Sequence, residues 1–239
     1  MRLNGKRIVI IGGSSGIGLE TARLAMAEGG LVTIAGRSED RLRRAAASLS
    51  GGKQLRSVIA DVTDEASIKA LFSAESQVDH VFVPAGELRP GTTDALTADA
   101  EDMRLILEVR LLGVCNVVRH VKPFMQSGSI TLMSGLYSTR PAPGGAMGAA
   151  AIAAVEGMTR ALALDLAPVR VNAVAPGIID TPLWDNFGPI RESILSSGSK
   201  LPVGRIGKPE EIAEAVLFLM SNGFVNGIVL PVDGGGGLV

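Results

Sequence analysis

The feature that most constrains the fold is an apolar run near the N-terminus that leads directly into a glycine-rich turn. Residues 8–11 are Ile and Val only, residues 12–18 read Gly-Gly-Ser-Ser-Gly-Ile-Gly, and a segment of helical period covers 16–28. A buried strand, a glycine turn and a helix in this order are typical of the first crossing in a parallel α/β sheet. The alternative interpretation is a glycine-rich turn that binds no ligand.

The spacing of these glycines indicates an anion site. Gly12 permits the tight turn, Gly16 lets the backbone approach a pyrophosphate, and Gly18 lets the helix pack closely against the strand. Unpaired N–H groups and the dipole at the helix N-terminus favour negative charge there. The Gly-Lys-Ser/Thr of a mononucleotide loop is absent, so a dinucleotide is the expected ligand. The residues of this turn expected to bind it are Gly12, Ser14, Ser15, Gly16, Ile17 and Gly18.

Short apolar runs alternate with longer segments of helical period along the rest of the chain. The predicted strands are 8–11, 31–35, 58–60, 81–83, 130–133, 171–175 and 228–232. The predicted helices are 16–28, 39–49, 65–73, 100–125, 146–167 and 209–221. The strand runs lack the alternation of a half-exposed sheet, which favours parallel strands covered on both faces. We therefore expect an α/β fold, with residues 1–239 forming one doubly wound Rossmann domain of about seven parallel strands and helices on both faces.

Composition narrows the class of partner and the compartment. Aromatic residues are only 3% of the chain while hydrophobic residues are 46%, which predicts an aliphatic core. A net charge of -1 provides no basic surface for nucleic acid or for an anionic membrane. The single cysteine, Cys115, excludes an intramolecular disulfide, and the first apolar run is too short for a signal peptide or a membrane span, which favours the cytoplasm. His80 and His120 are interpreted as ordinary structure, and no cluster has the spacing of metal ligands.

The end of the second strand predicts which dinucleotide binds. Proteins that bind NAD place an acid there for the ribose 2′-hydroxyl, whereas this chain has Gly36 followed by Arg37 and Ser38. An arginine can hold a 2′-phosphate by charge-assisted hydrogen bonds, so NADP(H) is favoured over NAD(H). Ser38 could donate to the same phosphate or cap the next helix, and the two roles are compatible.

The segment from about 181 to 201 interrupts the alternation. It contains Trp184, Phe187 and a polar run over 196–199. Two interpretations are open from these residues alone: a surface excursion of one or two helices packed on the body, or a mobile lid over a ligand at the carboxyl ends of the strands.

Further motifs, in chain order, resemble those of the short-chain dehydrogenase/reductase family. Asp61 with Val62 is similar to the family's pair beside the adenine, and Ala85 with Gly86 to the second half of its Asn-Asn-Ala-Gly strand end. Residues 170–177 resemble the family's sixth strand together with the Pro-Gly that flanks the nicotinamide. Residues 181–182 resemble the start of its substrate loop, and residues 232–235 resemble its closing segment. The resemblance adds these cofactor-binding residues: Asp61, Val62, Ala85, Gly86, Pro176, Gly177, Ile179 and Thr181.

The resemblance implies hydride transfer at a small-molecule carbonyl or alcohol, a homotetramer with a dimer as the alternative, and a substrate-side lid over about 181–201. It also implies four catalytic side chains. A tyrosine is the acid/base, a lysine four residues later lowers its pKa and holds the nicotinamide ribose, a serine orients the carbonyl, and an asparagine completes the proton relay.

All four catalytic positions differ in this chain. Aligned with the family, the asparagine, serine, tyrosine and lysine positions are Arg110, Gly135, Gly148 and Ile152. The only tyrosine is Tyr137, and Pro141 stands four residues after it.

Other side chains are therefore candidates for the chemistry. Ser134 and Tyr137 follow the fifth strand at the edge where this fold places its site, and Arg110 could polarise a carbonyl or bind a carboxylate. Glu87 and Arg89 are the remaining titratable residues near that edge. Each has an ordinary alternative: a satisfied hydroxyl for Ser134, half-buried packing for Tyr137, an ion pair for Arg110, and a solvated loop pair for Glu87 with Arg89.

Three functions are open at this stage. The first, which we favour, is an NADP(H)-dependent oxidoreductase with a non-standard active site. The second is a non-catalytic NADP(H)-binding sensor or pseudoenzyme subunit, indicated by the loss of all four catalytic positions. The third is an acid/base enzyme without a redox step, for which the sequence offers no clear base.

Overall fold

The computed structural model describes residues 1–86 and 90–239, so Glu87 and Arg89 lie outside the described residues. The described strands are β1 (Arg7–Ile11), β2 (Leu31–Gly36), β3 (Leu55–Ile59), β4 (His80–Val83), β5 (Ser129–Met133), β6 (Arg170–Pro176) and β7 (Val229–Val232). They form one seven-stranded parallel sheet in the order β3-β2-β1-β4-β5-β6-β7. The predicted α/β Rossmann fold is confirmed.

The strand order reverses between β1 and β4. Ile11 of β1 pairs with Ala35 of β2, and Ile10 pairs with Phe82 of β4. The glycine-rich turn leaves the carboxyl end of β1 at this reversal. In open α/β sheets the crevice at such a point is where ligands bind, because the loops on its two sides turn in opposite directions.

Helices cover both faces of the sheet. They are α1 (Gly16–Ala27), α2 (Glu39–Leu49), α3 (Glu65–Ser73), α4 (Ala100–Leu107), α5 (Gly113–Val121), α6 (Ala146–Asp165), α7 (Ile190–Ser196) and α8 (Pro209–Ser221). One mainly aliphatic core joins the sheet to α3, α5 and α6, with Val155 and the buried aromatic Phe72 among its members. A second core joins the opposite face to α1, α2 and α8, with Leu42 and Leu217.

Three sequence predictions differ from the structure. One is the burial of the last strand, since β7 lies at a sheet edge and its residues are half-buried or exposed. The third strand lies at Leu55–Ile59 and is not covered on both faces, since Ile59 is 56% exposed. The reason is that β3 is at the edge of the sheet and pairs only with β2. The single helix predicted over 100–125 is divided into α4 and α5 by a π-helical turn, Glu108–Leu112. This turn changes the direction of the side chains that follow α4.

Helix α6 lies along β6 on one side of the sheet. Among the described helices it alone is long and apolar enough to cross a membrane by length and composition. The buried residues Gly148, Ala151, Val155 and Thr159 recur every three or four positions, which is the spacing of one helix face. That face packs on the sheet, as expected for a core helix.

Candidate active site

Close contacts enclose the glycine-rich turn. Gly12 has φ +109°, and a Cβ atom placed on it would lie 2.9 Å from the amide nitrogen of Ala85. Gly16 has φ +52°, and a Cβ there would lie 3.3 Å from the methyl carbon of Thr181. A Cβ on Gly18 would collide with the carbonyl oxygen of Gly12. The turn thus brings together the ends of β1 and β4 and the start of the 181–201 segment, in a backbone path that only glycine tolerates.

The N-terminus of α1 is open to a ligand. Ser15 stands at the N-cap in extended conformation, and within the described part of the chain no side chain caps α1 and no acid lies in its first turn. Ser15 is exposed and Ser14 is half-buried. The first N–H groups of a helix need an acceptor, and a phosphate is a suitable one because of the helix dipole. Ile17 contributes differently, since its side chain packs against the core under α1.

Arg37 and Ser38 lie at the carboxyl end of β2, where both are exposed. Ser38 Oγ accepts a hydrogen bond from the Arg41 amide at 3.3 Å and so caps α2, as one of the two interpretations of Ser38 expected. A Cβ on Gly36 would lie 3.5 Å from Ser14 Oγ, which places the end of β2 beside the turn. The predicted contacts to a 2′-phosphate stay a prediction.

Asp61 and Val62 hold the turn that follows β3. Asp61 Oδ1 accepts hydrogen bonds from the Thr63 amide at 2.9 Å and from Thr63 Oγ1 at 2.8 Å. Val62 is buried, and its carbonyl accepts a hydrogen bond from Asn116 Nδ2 at 2.9 Å. These contacts position the Asp61 backbone, and the role of the pair beside an adenine is untested.

Hydrogen bonds to the end of β7 and to Trp184 fix the segment that follows β6. Pro176 ends the strand, and the Gly177 amide donates to the Val232 carbonyl at 3.1 Å. Ile179 is buried, and its carbonyl accepts a hydrogen bond from Trp184 Nε1 at 2.8 Å. Thr181 follows beside Gly16, as described above. The residues that the family resemblance assigns to the nicotinamide end are therefore at the same edge of the sheet as the glycine-rich turn.

Short helices form most of the 181–201 segment. A 3-10 turn (Pro182–Phe187) precedes α7, and a second one (Ser197–Lys200) follows it. Trp184 and Phe187 contact edge to face, with ring centroids 5.3 Å apart. Arg191 of α7 lies 3.3 Å from Asp185. The segment is thus an internally packed unit on the edge that carries the candidate site.

Gly148, which the resemblance aligns with the family's tyrosine, is closely packed. A Cβ on Gly148 would lie 3.2 Å from the methyl carbon of Thr93. The Met147 amide donates to the Thr93 carbonyl at 2.9 Å, and Thr93 Oγ1 donates to the Gly144 carbonyl at 2.8 Å. Sequence reasoning missed Thr93, because nothing local indicates that residue 93 packs on the N-terminus of α6.

Gly135 and Ile152, which the resemblance aligns with the family's serine and lysine, lie close together in an apolar environment. A Cβ on Gly135 would lie 3.5 Å from Ile152 Cδ1 and 3.9 Å from the Pro176 carbonyl oxygen. Neither residue has a side-chain polar atom, so this contact supplies no proton and no hydrogen bond to a substrate.

Arg110 stands at the asparagine position, on the π-helical turn. A Cβ on Gly86 would lie 3.0 Å from its Nη2 atom, so the guanidinium lies against the Gly86 backbone. The side chain is half-buried, and burial lowers the pKa of Arg110 below its usual value. Among the residues that the structure describes, it forms no hydrogen bond and no ion pair. The ion pair considered from the sequence is therefore not seen there.

Ser134 and Tyr137 face in other directions. Ser134 is 4% exposed, and its Oγ donates to Glu156 Oε1 of α6 at 2.7 Å. Tyr137 is 41% exposed, and its ring lies against Gly145 at the start of α6. Sequence reasoning missed Glu156, although it is the only acid in α6 before the last residue.

A cavity of about 270 Å³ lies below the loop that follows β5. Its lining residues are Gly135, Leu136, Ser138, Thr139, Glu156, Ala175, Val229, Pro231, Asp233 and Gly237. The hydroxyls of Ser138 and Thr139 already donate to the carbonyls of Gly135 and Leu136. The Asp233 carboxylate accepts from the amides of Gly235 and Gly237, so most polar groups of this cavity are engaged within the chain.

Fold and site together define a class, the doubly wound α/β proteins with a glycine-rich turn at the point of strand reversal. A family model described as enoyl-(acyl carrier protein) reductase matches residues 12–236. The 3-oxoacyl-[acyl-carrier-protein] reductase FabG of Thermotoga maritima is 38% identical over 252 residues, covering 98% of this chain and 99% of that protein. The chain therefore belongs to the short-chain dehydrogenase/reductase family, as the motifs predicted.

Solved structures agree with this assignment. The MalC reductase/Diels-Alderase from Malbranchea aurantiaca has a TM-score of 0.91 at 30% identity, covering 100% of this chain and 98% of that chain. A small-chain dehydrogenase in complex with NADPH has a TM-score of 0.83 at 29% identity, covering 99% and 100%. The relatives are thus oxidoreductases that match over the full length of the chain.

Proposed function

We propose that this protein is an NADP(H)-dependent oxidoreductase that transfers hydride at a small-molecule carbonyl or alcohol through a non-standard active site. The observation that carries the proposal is the turn at Gly12 and Gly16, enclosed by Ala85 and Thr181 beneath the uncapped N-terminus of α1. A bound nicotinamide cofactor would supply the hydride to a carbonyl in its reduced form, or accept it from an alcohol in its oxidised form. Support also comes from the FabG relative, whose name is that of a reductase, and from the neighbour in complex with NADPH.

The preference for NADP(H) rests on the end of β2. Gly36 carries no carboxylate that would repel a 2′-phosphate, and the exposed Arg37 brings a positive charge. Asp61, Val62, Ala85, Gly86, Pro176, Gly177, Ile179 and Thr181 complete the proposed cofactor-binding set, with the residues of the turn.

The catalytic residues that we propose are Arg110, Tyr137 and Ser134. Arg110 would stabilise negative charge on a carbonyl oxygen by hydrogen bonding. Tyr137 would have to swing its exposed ring toward the site to act as acid or base, and Ser134 would have to release Glu156. Residues 181–201 would cover the substrate, within one nucleotide-binding domain of 1–239.

The second candidate is a non-catalytic NADP(H)-binding sensor or pseudoenzyme subunit. The observation that favours it is the closed reaction centre, in which Thr93 packs on Gly148 and Ile152 contacts Gly135. Without a proton donor, the alkoxide that hydride transfer produces at a ketone is strongly disfavoured near neutral pH.

One experiment separates the two candidates. Purified protein is titrated with NADPH and NADH by calorimetry, and NADPH absorbance is then followed with a panel of aldehydes, ketones and quinones. The oxidoreductase predicts tight NADPH binding and turnover of at least one carbonyl, whereas binding without turnover, in both directions, supports the sensor. Failure to bind either nucleotide contradicts both.

Variants then test the catalytic roles on any activity found. Arg110→Ala and Tyr137→Phe should each lower kcat, whereas Arg104→Ala, on an exposed position of α4, should not. Activity that is unchanged in the first two variants removes Arg110 and Tyr137 from the chemistry.

We also propose a cytoplasmic homotetramer, with a dimer as the alternative. The outward face of α6 presents small residues that would let a second helix approach closely: Ala150, Ala153, Ala154, Gly157 and Ala161. Leu164 is 80% exposed on the same helix. Light scattering on the purified protein tests this, and Ala154→Glu should lower the oligomeric state because it buries a charge in the interface.

A further inference from the structure

We propose that Arg110 is a cofactor-binding residue that donates hydrogen bonds to the hydroxyls of the ribose next to the nicotinamide ring. The family resemblance gives this task to a lysine at position 152, which is an isoleucine here. The inference rests on the proposed NADP(H) binding and adds a residue and a contact to it. The guanidinium has five N–H donors, so those that do not bind the ribose remain for the carbonyl oxygen named above.

The position of Arg110 is the first argument. Its Nη2 atom would be 3.0 Å from a Cβ on Gly86, and Gly86 follows Ala85, whose amide nitrogen lies against Gly12. Ala85 and Gly86, which follow β4, therefore connect the guanidinium with the turn proposed to bind the pyrophosphate. A side chain at residue 86 would occupy the space that the guanidinium fills, so glycine at this position lets Arg110 reach the edge of the site.

The π-helical turn explains how an arginine at the asparagine position reaches Gly86. The turn spans Glu108–Leu112 and inserts one extra residue between α4 and α5. Such turns change the direction of one side chain within an otherwise regular helix, and they are frequent at functional sites. Arg110 is the basic residue within it.

The unmet hydrogen-bonding capacity of Arg110 is the second argument. A guanidinium has five N–H donors, and within residues 1–86 and 90–239 none of those of Arg110 has an acceptor. Partial burial costs the Arg110 guanidinium some of its hydration, and this lowers its pKa. A ligand with several oxygen acceptors removes that cost, and a ribose with two neighbouring hydroxyls is such a ligand.

The absence of a cation at residue 152 of α6 is the third argument. Ile152 occupies the lysine position and directs its side chain at Gly135, so α6 donates nothing to a ribose from there. Arg110 reaches the carboxyl edge of the sheet from the π-helical turn, where its guanidinium lies against Gly86. This favours the cofactor over a substrate carboxylate as its partner, because Gly86 belongs to the wall that continues into the pyrophosphate turn.

The test compares two nucleotides that share one half. NADPH contains the nicotinamide ribose, whereas 2′,5′-ADP contains only the adenosine half with the 2′-phosphate. Calorimetric Kd values are measured for both with wild type, Arg110→Met, Arg110→Lys and the control Arg104→Met. We expect Arg110→Met to raise the Kd for NADPH at least tenfold and to change the Kd for 2′,5′-ADP by less than twofold. The Kd of Arg110→Lys for NADPH should lie in between, and the control should bind both nucleotides as the wild type does.

A measurement on the wild-type protein covers the case in which the variants do not fold. Phenylglyoxal labels accessible arginines, and mass spectrometry then reports the labelling of each one. NADPH should protect both Arg37 and Arg110, and 2′,5′-ADP should protect Arg37 alone. Three results overturn the inference: Arg110→Met binds both nucleotides more weakly than wild type by the same factor, it binds both as tightly as wild type, or NADPH leaves the labelling of Arg110 unchanged. Wild-type protein that binds neither nucleotide instead contradicts the proposed function itself.

Discussion

The methyl carbon of Thr93 lies 3.2 Å from the point at which a side chain on Gly148 would begin. Two hydrogen bonds keep the Thr93 segment against the N-terminus of α6, one through the Thr93 carbonyl and one through its hydroxyl. Another part of the chain is therefore packed tightly against the start of any side chain at position 148. If Gly148 replaces the family's tyrosine, as the resemblance implies, the replacement is a change of packing as well as of one residue.

This contact predicts that restoring the tyrosine is costly. Gly148→Tyr, alone or with Ile152→Lys, should lower the free energy of unfolding by about 1–3 kcal/mol, because the new side chain overpacks against Thr93. The control is Gly157→Ala on the same helix, where a Cβ meets nothing within 4 Å and a gain of about 0.5–1 kcal/mol is expected. Urea unfolding measures both. A Gly148→Tyr protein as stable as wild type would mean that the Thr93 segment moves aside freely.

Arg37 should determine cofactor preference. Arg37→Asp removes a positive charge at the end of β2 and adds a negative one, so the ratio of NADH to NADPH affinity should rise at least tenfold, about 1.4 kcal/mol. Calorimetry with both nucleotides measures the ratio. Arg44→Asp, an exposed position further along α2, is the control for net charge. A ratio that is the same in both variants would show that Arg37 does not contact the 2′-phosphate.

The hydrogen bond from Ser134 to Glu156 should contribute to stability. Ser134→Ala leaves the half-buried carboxylate without this donor and should cost about 1–3 kcal/mol. Glu156→Gln retains an acceptor oxygen and should cost less, and thermal unfolding compares the two. NADPH affinity should be unchanged in both variants. Turnover should also fall in Ser134→Ala, in keeping with the catalytic role proposed for this hydroxyl, and unchanged turnover would remove Ser134 from the chemistry.

His80 predicts how stability depends on pH. Burial lowers the pKa of His80 from 6.5 to about 4, and the neighbouring Arg170 and Lys6 act in the same direction, while Asp79 opposes them. Above pH 6.5 the residue is neutral in both states. Between pH 6.5 and 4 the unfolded chain takes up a proton that the folded chain does not, so stability falls as the pH falls, by about 3 kcal/mol in total.

His80→Asn should remove this part of the pH dependence, because asparagine can bond to Ser129 Oγ as the histidine Nδ1 does and does not titrate. Urea unfolding at pH 7 and pH 4.5 gives the difference for each protein. His120→Asn is the matched control at the end of α5, where the ring contacts Glu65. The interpretation is wrong if the wild type and His80→Asn lose equal stability between the two pH values.

Local patterns were sufficient for much of the fold. Helices α2, α3 and α8 begin and end at the predicted residues, since capping serines and prolines and a 3.6-residue period are properties of short segments. The position of β3 was less well predicted. Its burial depends on its place at the sheet edge, and no short segment of sequence specifies that place.

By itself, the sequence determined the parallel sheet, the glycine-rich turn at the end of β1 and the family. The reason is that apolar periodicity and glycines that allow positive φ angles are properties of short segments of chain. It also predicted, from the family resemblance, that four catalytic positions are altered. Only the tertiary structure decided what replaces them: Thr93 against Gly148, Ile152 toward Gly135, and Arg110 against Gly86. Each of these contacts joins residues 17 to 55 positions apart. Such pairs are brought together by the packing of whole elements, which no local pattern describes.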